Sequence, residues 1–259
     1  MRRFTANISF MFAERPFLDR IGAARACGLS HVECHFPYEF PVSVLKDRLQ
    51  SSGVTLTGLN TAPGDIQKGE WGLAGVPGRE ADFDRDFDQA LQYASALGAS
   101  VIHVMAGRLP PEQHKAALKT YIANVRAAAE KAATAGITII LEPLNSRDMP
   151  NYLVSRSDDI VSILKDIDRP NVKLLFDVYH VQIMEGDLIR RLEKHRDAIG
   201  HVQIAAVPSR AEPDEGEVNY SAIFAALDAI GYGGLIGLEY KPRARTEDGM
   251  RWMQTMRPF

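Results

Sequence analysis

Short apolar runs alternate with longer amphipathic segments along the whole chain. The runs show little polar–apolar alternation, which is typical of parallel strands because helices cover both faces of their sheet. The pattern therefore predicts a parallel sheet of eight strands. The predicted strands are 4–10, 31–36, 54–60, 100–106, 137–142, 172–177, 200–205 and 234–239.

Between the runs, apolar residues recur at helical spacing. In one such segment Phe83 and Phe87 fall on the same face. Ser155, Asn219 and Thr246 stand where the N-cap of a helix is expected. The predicted helices are 16–28, 43–53, 79–98, 110–136, 155–168, 187–200, 219–234 and 246–256.

Eight strand–helix pairs follow one another in 259 residues without a low-complexity linker. This arrangement predicts the α/β class and a single (β/α)₈ TIM-barrel domain over residues 1–259. The rival is an open, doubly wound sheet, which usually has fewer strands and a glycine-rich turn after the first strand. The segment after the first strand, SFMFAERPF, contains no glycine, which favours the barrel.

Composition narrows the class of protein. With 46% hydrophobic and 24% charged residues, the chain is an ordinary globular one. The formal net charge is −3 and the sequence pI is about 6.2, and no run of Lys and Arg is present. We therefore expect no nucleic-acid partner. Cys27 and Cys34 form no Cys-x-x-Cys motif, so we expect two small buried side chains in a reducing compartment.

The first residues, MRRFTANISFMFAE, contain no sustained apolar region and no small-residue cleavage site. No window approaches the length of a membrane span. We therefore expect a cytoplasmic protein that does not associate with membranes. A homo-oligomer is compatible with the sequence, which does not fix the oligomeric state.

Three predicted strands end on a carboxylate, namely Glu142, Asp177 and Glu239, and Gln203 lies near the end of another. Active sites of (β/α)₈ barrels lie at these strand ends. Clustered carboxylates repel one another, and a divalent cation removes that repulsion. The oxygen donors Glu142, Asp177, Gln203 and Glu239 favour Mg²⁺ or Mn²⁺. The alternative is that the three acids form salt bridges with arginines.

Glu142 and Glu239 end predicted strands five and eight and would flank a ligand from opposite sides. A metal polarises a carbonyl and acidifies the adjacent C–H. One glutamate would then remove a proton while the other delivers one. This layout predicts an isomerase or epimerase that works through an enediolate.

Other polar residues surround the predicted strand ends. The position of His180 after Asp177 predicts a loop residue that hydrogen-bonds a substrate oxygen. Arg210, after strand seven, suits a substrate carboxylate. Lys241 would steer an anionic substrate or be a solvated rim charge. The candidate substrate-binding residues are His180, Arg210, His103, Asn60 and Lys241.

The Gly/Pro-rich segment 60–80 is long for a connection in a compact domain and carries Trp71 near its centre. Segments of this length are often active-site lids. A lid over the barrel mouth is therefore the interpretation, with a plain surface excursion as the alternative.

Several segments resemble the hydroxypyruvate isomerase family within the xylose isomerase-like barrels, and the resemblance runs nearly end to end. It is carried by ANISFMF, VECHFPYEF, PGDIQKGEWGLAGVPGRE, LEPLN, FDVYHVQIMEGDL, GHVQIA, EPDEGEVNY and GLEYKP. The resemblance implies a divalent metal held by Glu142, Asp177, Gln203 and Glu239, with Glu142 and Glu239 as proton donor and acceptor. It also implies that His180 and Arg210 lie near the substrate.

The family has a branch for hydroxypyruvate and one for 2-oxo-tetronates, and NTAPGDI and HVMAG look more like the second. Ketose 3-epimerases of this superfamily usually have His where Gln203 stands, and its endonucleases use more His ligands and a basic groove. We therefore expect a metal-dependent isomerase of a small 2-oxo-3-hydroxy acid. The alternatives are a ketose 3-epimerase and a non-catalytic sugar-acid binding protein.

Overall fold

The computed structural model describes residues 4–255 and contains a closed barrel of eight parallel strands in chain order, in which β8 pairs with β1. The strands are β1 Phe4–Asn7, β2 His31–Cys34, β3 Thr55–Asn60, β4 Val101–His103, β5 Thr138–Leu141, β6 Val172–Asp177, β7 Ile199–Ile204 and β8 Ile236–Leu238. The predicted (β/α)₈ class and all eight predicted strands are confirmed. Several strands are shorter than predicted because the last residues of those runs already belong to loops at the barrel mouth, whereas β3 and β6 reach the predicted ends.

Helices surround the barrel and cover its outer face. They are α1 Phe17–Ala26, α2 Val42–Ser52, α3 Glu80–Leu97, α4 His114–Thr134, α5 Ser157–Ile167, α6 Val178–Met184, α7 Leu188–His195, α8 Tyr220–Ala229, α9 Thr246–Gly249 and α10 Trp252–Thr255. In α3, Phe83 and Phe87 are buried, as the helical spacing predicts. The apolar face of α3 thus packs inward, as expected of an amphipathic helix on the outside of a barrel.

Two of the three predicted N-caps are wrong. Asn219 caps α8 by accepting a hydrogen bond from the backbone N–H of Ala222 at 3.1 Å. Ser155, however, lies two residues before α5. Thr246 is the first residue of α9, and its hydroxyl accepts from the backbone N–H of Phe12 at 2.6 Å, so it joins the end of the barrel to the β1 loop.

The sequence pattern did not predict α6, which follows β6 without a loop. Asp177 ends the strand and is also the N-cap of α6, because its Oδ1 accepts from the backbone N–H of Tyr179 at 2.8 Å. The prediction that His180 is a loop residue is therefore wrong, because His180 lies in the first turn of α6.

The segment 60–80 is anchored to the barrel mouth by its backbone. Thr61 donates to the carbonyl of His103 at 2.9 Å, and Gly75 donates to that of Ala106 at 2.7 Å. The exposed tip is a short 3₁₀ turn, Ile66–Lys68. The contacts fix the base of this segment, and its closure as a lid stays a prediction.

No helix in the described part of the chain has the length and hydropathy that a membrane crossing requires. The first three residues of the N-terminal segment and the last residue of the predicted helix 246–256 lie outside the described range.

Candidate active site

Three acids and one amide from consecutive strands lie buried at the carboxyl end of the barrel. Glu142 directly follows β5, Asp177 ends β6, Gln203 lies in β7 and Glu239 directly follows β8. The Cα of Asp177 is the register partner of that of Gln203. All four residues are at most 5% exposed. The sequence-predicted set therefore comes together in one place.

Three buried oxygen atoms of this set have no hydrogen-bond partner among the described residues. They are Glu142 Oε1, Asp177 Oδ2 and Gln203 Oε1. A buried polar atom without a partner costs free energy, and such atoms are rare in folded proteins. Three oxygens from successive strands with the same deficit fit the donor set of a divalent cation.

Glu239 is already surrounded by donors. Its Oε2 accepts from Asn7 Nδ2 at 2.8 Å and from Gln203 Nε2 at 2.7 Å, and its Oε1 accepts from Arg210 Nη2 at 2.8 Å. His35 Nε2 lies 3.6 Å from Oε2. Of the four candidate ligands, Glu239 is thus the one that an arginine neutralises.

The three carboxyl groups differ in the direction in which their surroundings shift the pKa. Burial and the charges of Glu239 and Asp177 raise the pKa of Glu142 well above its ordinary value. Burial and the charge of Glu239 raise the pKa of Asp177 to about 7. Burial also opposes ionisation of Glu239, but His35 and Arg210 outweigh it and lower the pKa of Glu239 to about 2. These directions hold for the metal-free protein, and a bound cation would favour the charged forms.

His180 faces the carboxylates with one nitrogen. Its Nε2 lies 3.7 Å from Glu142 Oε1 and 3.7 Å from Asp177 Oδ2. One ligand atom each from Glu142, Asp177 and His180 lies within 4.8 Å of the others, a spacing that could hold a metal ion.

The contacts of the other ring nitrogen, Nδ1, indicate whether Nε2 of His180 carries a proton. Its Nδ1 accepts from the backbone N–H of Asn145 at 3.0 Å. Burial and the charge of Arg210 lower the pKa of His180 to about 3, so the ring is neutral at pH 7. A neutral imidazole that accepts at Nδ1 carries its proton on Nε2. The contact with Asn145 thus places the proton on Nε2, which also lies 3.4 Å from Arg210 Nη2, another donor.

Arg210 reaches the site from the loop after β7. Its guanidinium lies 5.1 Å from the ring centroid of Phe10 and 4.9 Å from that of Tyr179. Its Nη1 is 3.8 Å from Asp148 Oδ2, an oxygen that also accepts from the Tyr179 hydroxyl at 2.7 Å. The two rings and two carboxylates fix the plane of the guanidinium beside Glu239.

The remaining predicted substrate-binding residues occupy different places. His103 Nδ1 lies 3.6 Å from Glu142 Oε2, and burial lowers the pKa of His103 to about 3. His103 and Asn60 line a small cavity of about 20 Å³ inside the barrel, together with Gln203. Lys241 is exposed, and its backbone N–H donates to the carbonyl of Arg210 at 2.8 Å. The structure thus brings His103 to Glu142 and leaves the Lys241 side chain at the rim.

Sequence reasoning missed several polar residues that hold this site. Glu33 of β2 is buried and contacts both His201 and Gln203, and Asn7 of β1 contacts Glu239. A signal for Glu33 was present, because it interrupts the apolar run 31–36. It escaped notice because it lies within the run and not at its end.

Comparison with known proteins agrees with the barrel fold. A sequence model described as the xylose isomerase-like TIM barrel matches residues 21–256. The chain is 48% identical to a 2-oxo-tetronate isomerase of Cupriavidus necator, over 98% of each chain. It is 38% identical to the hydroxypyruvate isomerase of Escherichia coli, over 99% of this chain and 100% of that one.

A solved structure is also similar over the whole length. It belongs to a Brucella melitensis protein named an AP endonuclease of family 2, with a TM-score of 0.97, 45% identity and coverage of 100% of both chains. The names of these relatives therefore divide between isomerases and an endonuclease.

Proposed function

The chain belongs to the xylose isomerase-like TIM barrel family and is an isomerase of a small substrate, and from this premise we propose that it moves the carbonyl group of a 2-oxo-3-hydroxy acid between C2 and C3. The observation that carries the proposal is the set of three buried oxygens beside Glu239 that have no hydrogen-bond partner within residues 4–255. Glu142, Asp177, Gln203 and Glu239 would hold Mg²⁺ or Mn²⁺. When bound, the cation would polarise the substrate carbonyl and acidify the neighbouring C–H.

Glu142 and Glu239 are the acid–base pair in this proposal. Isomerisation removes the proton from C3, passes through an enediolate and adds a proton at C2, with the hydroxyl proton moving to the former carbonyl oxygen. The two glutamates follow strands that are three apart in the barrel, so a substrate between them has one carboxyl on each flank. Proton transfer by positioned carboxyl groups accelerates such steps by about 10²–10⁴-fold.

The chain's other residues would bind and orient the acid. His180 Nε2–H faces the space between Glu142 and Asp177 and would donate to a substrate oxygen. Arg210 would bind the substrate carboxylate, since a guanidinium matches a carboxylate in charge and shape. Burial of these groups excludes water, which strengthens each interaction.

The four-carbon substrate is favoured over hydroxypyruvate. The identity to the 2-oxo-tetronate isomerase of Cupriavidus necator is 48%, against 38% for the hydroxypyruvate isomerase of Escherichia coli. We therefore expect turnover of a 2-oxo-tetronate to exceed that of hydroxypyruvate.

The test is proton NMR of both substrates in deuterated buffer, with Mg²⁺ or with a chelator. We expect a Mg²⁺-dependent loss of the C3 proton signal and growth of the 3-oxo product, faster on the 2-oxo-tetronate. Exchange that persists in the chelator would remove the metal from the proposal. The absence of exchange on either acid would leave a non-catalytic binding protein or a ketose epimerase as the better description.

The endonuclease name of the Brucella melitensis protein supplies a second hypothesis to exclude. Phosphodiester hydrolysis would require binding to a polyanion, which is usually carried by Lys and Arg. The formal net charge of this chain is −3. Incubation of an abasic duplex with the Mg²⁺-loaded protein should leave the duplex uncut, and cleavage would overturn the isomerase as the sole activity.

A further inference from the structure

We propose that Glu33 is a positioning residue that fixes the Gln203 side-chain amide with its carbonyl oxygen free for a metal ion. Glu33 is outside the four candidate ligands and comes from β2 in the other half of the barrel. The inference rests on the metal site proposed above. It assigns to Glu33, together with Glu239, the choice of which end of the Gln203 amide faces a cation.

The hydrogen bonds of Gln203 are one-sided. Its Nε2 donates to Glu33 Oε1 at 2.7 Å and to Glu239 Oε2 at 2.7 Å, while its buried Oε1 has no partner among the described residues. An amide group has two N–H donors, and ionised carboxylates only accept. Rotating the amide by 180° would point its oxygen at Glu33 Oε1 and Glu239 Oε2, so three acceptor oxygens would meet without an amide N–H between them. The two carboxylates therefore select one orientation.

His201 holds Glu33 in place for this contact. His201 Nε2 lies 2.9 Å from Glu33 Oε2, and both side chains are buried. Because one Glu33 oxygen meets His201 and the other meets Gln203, the carboxylate cannot turn away from the amide without losing a contact. Partners of this kind orient the ligands of metal sites.

Gly237 of β8 provides independent support, because Glu33, Gln203 and His201 pack closely against its Cα. A Cβ at residue 237 would lie 2.6 Å from Gln203 Cγ, 2.6 Å from Glu33 Oε1 and 3.1 Å from His201 Nε2. Any larger residue would push apart the same three side chains. The backbone of Gly237 is in an ordinary strand, so the close approach, and not an unusual φ, is what favours glycine here.

The experiment measures Mn²⁺ affinity by calorimetry for the wild type, Glu33→Leu, Glu33→Gln and Gln203→Ala, and for the double variant of Glu33→Leu with Gln203→Ala. We expect Glu33→Leu to weaken Mn²⁺ binding at least tenfold, since partners behind a ligand typically contribute about 10–100-fold. Glu33→Gln should remain within threefold, because its carbonyl can accept from Gln203 and its amide can donate to the other tautomer of His201. In the Gln203→Ala background, Glu33→Leu should change the affinity no further.

Two measurements separate positioning from a loss of structure. Thr57→Val removes a different buried hydrogen-bonding side chain of the barrel interior, one that bonds Thr5 at 2.9 Å, and should leave Mn²⁺ affinity within twofold. In the metal-free protein, the NMR signal of the Gln203 side-chain amide, identified by its loss in Gln203→Ala, should shift in Glu33→Leu.

The outcomes distinguish the two proposals. An unshifted Gln203 amide signal, wild-type Mn²⁺ affinity in Glu33→Leu, or full additivity with Gln203→Ala would overturn the role of Glu33 while leaving the metal site intact. If the wild type binds no Mn²⁺, the proposed metal site fails, and the amide signal still shows whether Glu33 fixes Gln203.

Discussion

The backbone N–H of Asn145 donates to Nδ1 of His180 at 3.0 Å. Asn145 lies in the loop after β5, and His180 lies in α6, so two neighbouring strand ends define one imidazole tautomer. The proton on Nε2 then faces Glu142 and Asp177. From this tautomer we expect His180, which lies at metal-ligand distance from both acids, to act as a hydrogen-bond donor.

His180→Ala should reduce catalysis without weakening metal binding. Loss of one hydrogen bond to a charged substrate oxygen costs about 2 kcal/mol, which corresponds to a roughly thirtyfold fall in kcat/KM. Calorimetry should find Mn²⁺ affinity within threefold of the wild type. A tenfold or greater loss of Mn²⁺ affinity would mean that His180 is a ligand.

Glu142→Gln should abolish most turnover. The amide retains an oxygen donor for a metal but cannot exchange a proton, so we expect kcat to fall by about 10³-fold, within the usual contribution of a general acid or base. Glu130→Gln makes the same chemical change at an exposed residue of α4 that pairs with Arg169. That variant should keep wild-type kcat, and a wild-type rate in Glu142→Gln would remove Glu142 from the acid–base pair.

Metal binding should release protons and strengthen as the pH rises. Asp177 in the metal-free protein has a pKa of about 7, above its ordinary value of about 3.9. Below pH 7 a cation must therefore displace the Asp177 proton, and its affinity should rise from pH 6 to pH 8. Calorimetry in two buffers of different ionisation enthalpy should show more proton release at pH 6 than at pH 8, and equal release at both would contradict the raised pKa.

The raised pKa of Asp177 should make the metal-free protein less stable as the pH rises, whereas metal affinity increases. Because the folded, metal-free protein holds the Asp177 proton more tightly than the unfolded chain, this group's stabilising contribution is greatest below pH 4 and is lost as the pH rises through 7. A bound cation removes this loss, so the stabilisation by Mn²⁺ should be larger at pH 8 than at pH 6.

Gly72→Ala should destabilise the protein more than Gly69→Ala does. Both glycines have positive φ, +101° and +82°, and either substitution strains the backbone by about 1 kcal/mol. Only at Gly72 would the new Cβ also collide, 2.4 Å from the carbonyl oxygen of Met105, whereas nothing lies within 4 Å at Gly69. We expect losses of about 3 and about 1 kcal/mol in the free energy of unfolding.

Denaturant titration of the two variants measures this difference directly. Equal losses would show that the Met105 backbone gives way easily. The base of segment 60–80 would then be less firmly attached than its hydrogen bonds indicate.

The barrel and the four candidate ligands could be predicted from the sequence because both leave local signals. A buried strand is an apolar run, and Glu142, Asp177 and Glu239 are conspicuous where such runs stop. The parallel barrel then places the ends of all runs at one mouth.

The orientation of the ligands left no local signal. The hydrogen bond between Glu33 and Gln203 joins residues 170 positions apart. The tautomer of His180 depends on the loop after another strand, and α6 was missed because Asp177 both ends β6 and caps the next helix. Such features arise only when distant strands are brought side by side.

All four candidate ligands belong to the second half of the chain, while Asn7 and Glu33, which orient Glu239 and Gln203, belong to β1 and β2. Because the ligands and their hydrogen-bond partners come from different halves, the two halves of the barrel cannot be exchanged independently. A half-barrel with β5–β8 alone would carry every candidate metal ligand but would lack the hydrogen-bond partners that orient two of them. A chimaera that joins β1–β4 of one distant relative to β5–β8 of another would therefore keep the site only if the orienting residues of the first half match the ligands of the second.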